Sequence, residues 1–134
     1  MTEGIVLSDL QITDNIGNAI LLNGARNLRV EGGLVRTSEG QTTLRIQDDA
    51  NLALRADNTT DHLTFDGVIF DGGTMKFNGT CASVEFARSD FRGVSFDMSV
   101  PDEPIVLRDC IEDADTTTTG DTTKLVRVYS TDDQ

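Results

Sequence analysis

The chain has 134 residues and a mass of 14.5 kDa, the size of one domain with one modest core and no linker. Its 11 Lys+Arg against 23 Asp+Glu leave a formal net charge of −12, which argues against a nucleic-acid binder because phosphate neutralisation needs a basic surface. No apolar run of about 18 residues is present to cross a membrane as a helix, and Met1-Thr2-Glu3-Gly4 lacks the basic region and apolar run of a secretory signal.

In chain order, short segments alternate polar and apolar residues: Ile5-Val6-Leu7, Leu10-Gln11-Ile12, Asn27-Leu28-Arg29-Val30, Thr43-Leu44-Arg45-Ile46, Asn51-Leu52-Ala53-Leu54, His62-Leu63-Thr64-Phe65, Thr74-Met75-Lys76-Phe77 and Ser83-Val84-Glu85-Phe86. A period of two predicts strands with one buried face, and no window holds an apolar stripe at helical spacing. Gly, Asn and Asp punctuate the segments as turns require. The chain therefore reads as all-β.

The segments also repeat. Asn27 to Val35 aligns with His62 to Phe70, matching Leu28 with Leu63, Val30 with Phe65, Leu34 with Ile69 and Val35 with Phe70, with an acid-Gly pair between. Further copies run from Ser83 to Phe91 and from Pro104 to Ile111. Phe65 to Phe86 is 21 residues, Phe86 to Leu107 is 21, and Leu7 to Val30 is 23. Such a period, holding two or three short strands, predicts a solenoid whose coils bury their inner faces by stacking. The Asn-Leu-x-Val-x-Gly-Gly and His-Leu-x-Phe-x-Gly-x-x-Phe runs resemble the right-handed parallel β-helix of pectate lyases, polygalacturonases and viral tailspikes. That resemblance covers residues 5–111 and implies a short solenoid of about five coils. Gly32, Gly67, Gly72 and Gly93 are expected at corners with positive φ. The runner-up is an antiparallel β-sandwich, which explains the alternation but not the 21-residue spacing.

Two stretches break the pattern. Val30 to Phe65 is 35 residues, so residues 47–61 are expected to hold a protruding loop or irregular coil. Residues 112–123 are Thr- and Asp-rich and read as an exposed loop, followed by a final strand at 124–129 and a tail at 130–134.

Candidate chemistry is sparse. Gln47-Asp48-Asp49 resembles the run that holds catalytic carboxylates in polygalacturonase-like β-helices, where an acid and a base flank the scissile bond. The family's Asn-Thr-Asp, Gly-His-Gly and Arg-Ile-Lys runs are missing, so a solvated turn is the plainer reading of Asp48 and Asp49. Asp66 and Asp71 are weak Ca²⁺ candidates, because carboxylates on adjacent turns can collect the ion. Lyases of this fold pair such acids with a basic catalyst, for which Arg88, Arg92 and Arg108 are available. His62, the only histidine, occupies the strand-initial position that Asn27 and Ser83 fill in parallel copies, and reads as a turn residue. Cys81 and Cys110 lie 29 apart, out of step with a 21-residue coil, so two small buried hydrophobes are expected rather than a disulfide. No cofactor and no metal are expected.

The acids are 17 Asp and 6 Glu, and the bases 9 Arg with only Lys76 and Lys124. That balance resembles proteins of extreme halophiles, whose self-repulsion molar salt screens. A solenoid this short, with no helical cap, exposes two ends that partners must bury, most simply in a homo-oligomer such as a trimer. The expectation is a non-enzymatic virion protein of a halophile-infecting virus, a capsid decoration or tail/fibre component contacting capsid or tail proteins. The alternative is a carbohydrate-active β-helix, lyase or hydrolase, or a polysaccharide-binding module, extracellular or on a cell surface.

Overall fold

A computed structural model describes residues 4–15, 17–23, 26–38, 40–47, 61–77, 82–101 and 103–130. The loop expected between 47 and 61 lies outside the described residues from 48 to 60. β1 (Ile5–Asn15) runs along two faces, and β2 (Asn18–Asn23) forms a third. β3 (Arg26–Thr37) and β4 (Thr42–Gln47) repeat that plan. In the next coils the long strand is broken in two: β5 (Asp61–Asp66), β6 (Ile69–Asp71) and β7 (Thr74–Lys76), then β8 (Ala82–Ala87), β9 (Asp90–Arg92) and β10 (Ser95–Met98). The last coil is β11 (Ile105–Arg108), β12 (Ile111–Glu112) and β13 (Thr117–Gly120), and a 3-10 turn at Thr122–Lys124 leads into β14 (Leu125–Val128).

All pairings among the described strands are parallel. The first face stacks β1, β3, β5, β8, β11 and β14; the second continues from β3 through β6, β9 and β12; the third stacks β2, β4, β7, β10 and β13. The chain is therefore a parallel β-solenoid of about four turns, close to the expected coil count. An antiparallel sandwich is excluded, since it is built from hairpin pairs. The register is the one the repeats imply: Val30 stacks on Phe65, Phe65 on Phe86 and Phe86 on Leu107.

Inward side chains make the core. All six phenylalanines of the sequence are buried in it. Phe65 and Phe86 stack at 5.1 Å between ring centroids, and Phe70 and Phe91 at 5.4 Å. Edge-on contacts such as Phe65 to Phe70, at 5.6 Å, tie the first face to the second. Each ring contributes about 1.5–3 kcal/mol by burial, and the paired geometry about 0.5–1.5 more.

One expectation fails. Residues 112–123 are not a free loop: Glu112 ends β12, Thr117–Gly120 pairs with β10, and Thr122–Lys124 makes the 3-10 turn. Thr is at home on a pleated surface, and here the neighbouring strand supplies the hydrogen bonds that the polar composition concealed.

The expected corner glycines do have positive φ, at 72° for Gly32, 71° for Gly67, 85° for Gly72 and 61° for Gly93. Two corners differ in consequence. A Cβ on Gly67 would meet nothing within 4 Å, whereas one on Gly73 would fall on the Thr43 hydroxyl oxygen and lie 2.7 Å from Thr37 Cγ2. Gly67→Ala should cost about 1 kcal/mol from backbone conformation alone. Gly73→Ala should cost clearly more, and chemical denaturation of the two variants compares them directly.

Candidate functional site

Outward residues on the first face form a charged ladder across coils. The Arg29 guanidinium donates from Nη2 to Asp66 Oδ2 at 2.6 Å, and Arg88 binds the same carboxylate oxygen from the coil beyond. Arg29 also binds Glu31, a hydrogen bond that leads the causes raising its pKa above the ordinary arginine value. Arg108 reaches Glu85 at 3.3 and 3.4 Å. In the parallel register Arg29 stacks on Thr64 and Glu85 on Val106, so Asp66 and Arg108 are reached diagonally from one coil to the next, while Arg29–Glu31 stays within β3. Exposed pairs of this kind contribute about 0–1 kcal/mol each.

These contacts locate the sequence candidates. Asp66 is held between Arg29 and Arg88 on the first face, while Asp71 ends β6 on the second and meets Arg36 at 3.3 Å. The two Ca²⁺ candidates therefore sit on different faces, each bound to arginine. Among the described residues, no three His, Cys, Asp or Glu side chains are grouped to hold a metal ion. Arg88 and Arg108 belong to the ladder, and Arg92 pairs with Asp90 at 2.9 Å. Asp48 and Asp49 lie outside the described residues, as does Cys81. Cys110 is a buried free thiol whose Sγ donates to the Phe86 carbonyl at 3.2 Å, and burial pushes its pKa up. A raised pKa leaves little thiolate, the reactive form. His62 shares its left-handed backbone with Asn27 and Ser83, at φ of 55°, 55° and 52°, as stacked strand-initial residues should. Beside it a shallow groove of about 390 Å³ runs past Arg29, Thr64, Ser83, Glu85 and Val106.

The two ends differ more than any groove does. On the first face an inward column runs Leu7, Val30, Phe65, Phe86, Leu107 and ends at Arg127. On the second it runs Ile12, Val35, Phe70, Phe91 and ends at Glu112. On the third it runs Ile20, Leu44, Met75, Phe96 and ends at Thr118. These three columns start apolar and finish polar. A second inward column of the first face, Ile5, Leu28, Leu63, Val84 and Ile105, finishes instead in buried Leu125, and Ile111, Val126 and Tyr129 are exposed near that end. Arg127 and Glu112 then join in a two-pronged ion pair, Nε to Oε2 at 2.6 Å and Nη2 to Oε1 at 2.8 Å. That geometry is the strong form of a charge-assisted hydrogen bond, and it leads the causes raising the Arg127 pKa. At the opposite end Ile5, Val6 and Leu7 are 60 %, 56 % and 41 % exposed, although Ile5 and Leu7 occupy inward positions. Sequence spacing held the signal for these two polar positions, since Glu112 stands 21 residues after Phe91 and Arg127 stands 20 after Leu107.

No family model matches the chain, and no curated protein or solved structure matches it. Fold and site together define it as a parallel β-solenoid whose β1 end exposes hydrocarbon and whose last coil carries an ion pair beside apolar side chains.

The aspartates also have local work. Asp109 accepts from the Ser130 N–H and hydroxyl, both at 2.6 Å, and pins the residue after Tyr129 to the coil below. Asp113 accepts from the Gly93 N–H at 2.9 Å, the first cause of its lowered pKa, and from Thr116. The hydroxyls of Ser99, Ser130 and Thr123 lead the causes that lower Asp97, Asp109 and Asp121. A short carboxylate reaches turn donors that Glu overshoots, which gives the excess of Asp over Glu a structural reason independent of salt. Because these folded pKa values are depressed, their stabilisation is present above the unfolded value of about 3.9 and is lost as pH falls through the folded values. The melting temperature should hold steady from about pH 7 to 5 and fall below about pH 4. Asp109→Asn should shrink that acid-limb loss, as thermal melts across the pH range would register.

Proposed function

We propose that this chain is a non-enzymatic structural protein that acts through contacts between copies, as a capsid decoration or tail/fibre component of a virion. The observation that carries the reading is the hydrocarbon left in water at the β1 end, where Ile5 and Leu7 occupy inward positions yet are 60 % and 41 % exposed. A solenoid end left in hydrocarbon is suited to being covered. The arginines proposed from sequence as lyase bases support it too, because Arg88, Arg92 and Arg108 are engaged by Asp66, Asp90 and Glu85.

A halophilic virus as source belongs to the same reading. It rests on the net charge of −12 and the scarcity of lysine. Molar salt shortens the screening length to about 3 Å, which would let such acidic copies approach one another.

Light scattering in molar KCl over a range of protein concentrations tests the assembly. An oligomer is expected, and a monomer throughout would overturn the reading. Thermal unfolding should be less cooperative in dilute buffer than in molar KCl, and equal cooperativity would remove the halophilic part. Release of unsaturated or reducing sugar from acidic polysaccharides, abolished by Asp48→Asn or Asp49→Asn, would replace the whole reading with the carbohydrate-active one.

A further inference from the structure

Arginine elsewhere in this chain is answered by an acid. Arg29, Arg36, Arg88, Arg92, Arg108 and Arg127 each meet a carboxylate. Arg45, on the third face, is exposed and meets no carboxylate among the described residues, although the sequence holds 23 acids against 11 bases.

Its neighbour in the ladder is another cation. β4 and β7 pair in parallel register with Arg45 directly opposite Lys76, and paired strands lie about 4.8 Å apart. Both side chains point outward, because Leu44, Ile46, Met75 and Phe77 on either side of them are buried. Like charges directly opposite on one face repel. Lys76 makes no ion pair among the described residues either. Asp97 is next in the column, but its Oδ1 accepts from the Ser99 N–H at 3.1 Å and the Ser99 hydroxyl at 2.6 Å. Lys76 acts on it through space alone, as the last of the causes that lower the Asp97 pKa. On the other side of Arg45 the column ends in exposed Leu21. Two stacked cations thus stand between a hydrocarbon side chain and a carboxylate already engaged.

We infer that Arg45 and Lys76 form a binding site for a small multivalent oxyanion, inorganic phosphate or sulfate. A dianion between the two side chains replaces their repulsion with attraction to both. The guanidinium presents parallel donors to two oxygens of the ion, and the ammonium adds a point charge. Thr74 stands two residues before Lys76 on the same side of β7, and with Ser95 it lines a groove of about 420 Å³ that gives the ion room to enter. Charge also limits the size of the ligand. A long polyanion would bring its remaining charges against a surface at −12, whereas a small ion avoids them. The bound ion bridges β4 to β7 and so ties the second coil to the third. This goes beyond the assembly reading and does not depend on it.

Titration of the nitrogen-15-labelled chain with inorganic phosphate tests the site, with KCl adjusted to hold ionic strength constant. The Arg45 side-chain resonance and the amides of β4 and β7 should shift along a saturable curve in the millimolar range. The melting temperature should rise with the logarithm of phosphate concentration. Arg45→Gln and Lys76→Gln should each abolish the saturable shift, while Arg36→Gln, on the second face, should keep it. Without phosphate, Arg45→Gln should melt no lower than the parent because it removes a repulsion, which separates loss of the ion from loss of the fold. Shifts that grow linearly, or that match in the parent and Arg45→Gln, would reduce the effect to general salt and overturn the proposal. Inorganic sulfate should compete with phosphate. Tighter binding of dextran sulfate, per sulfate group, would contradict the assignment to a small ion.

Discussion

An inward side chain in a parallel solenoid can be buried only by the coils above and below it. Everything else in this molecule follows from that dependence. Phe65, Phe70, Phe86, Phe91 and Phe96 lie in the middle coils, where neighbours exist on both sides, and they are fully buried. Leu7 follows the same register and carries the same kind of side chain, yet stays partly in water because no described coil lies beyond it. Stability is thus shared between coils rather than owned by any of them, as in other repeat folds. The ends become the place where the sequence must depart from its own pattern. In the last coil it does so in part, with Arg127, Glu112 and Thr118 beside buried Leu125; at the β1 end it does not.

Charge is arranged around the same coils in two ways that respond differently to solvent. Ion pairs such as Arg29–Asp66–Arg88 and Glu85–Arg108 run between coils at the surface, where salt screens them. The carboxylates of Asp97, Asp109, Asp113 and Asp121 instead serve hydroxyl and backbone donors in turns or across one coil. Those contacts need the ionised form but no opposite charge, so acid removes them more readily than salt does. Much of what composition suggests about salt is therefore also a consequence of turn chemistry.

The middle of the fold was legible because its register repeats without interruption. Phe65, Phe86 and Leu107 stand one coil apart, and the equivalence of Asn27, His62 and Ser83 reappears in their shared left-handed backbone. Legibility fell wherever a position broke type. Thr117–Gly120 is a strand by virtue of β10 beside it, not by any apolar alternation of its own. Glu112 and Arg127 looked like ordinary surface residues until the columns beneath them were traced. Asp66 suggested calcium because carboxylates on adjacent turns can collect the ion, and the alignment of Val30 with Phe65 does not show that the long side chains of Arg29 and Arg88 reach its oxygen diagonally.

Hydrogen exchange at high and low protein concentration in molar salt tests the central claim, that the apolar end is completed by association, most directly. The backbone amides of β1 should gain protection as concentration rises, while those of β14 in the last coil should not change. Equal protection of β1 at all concentrations, or a gain confined to β14, would contradict the account.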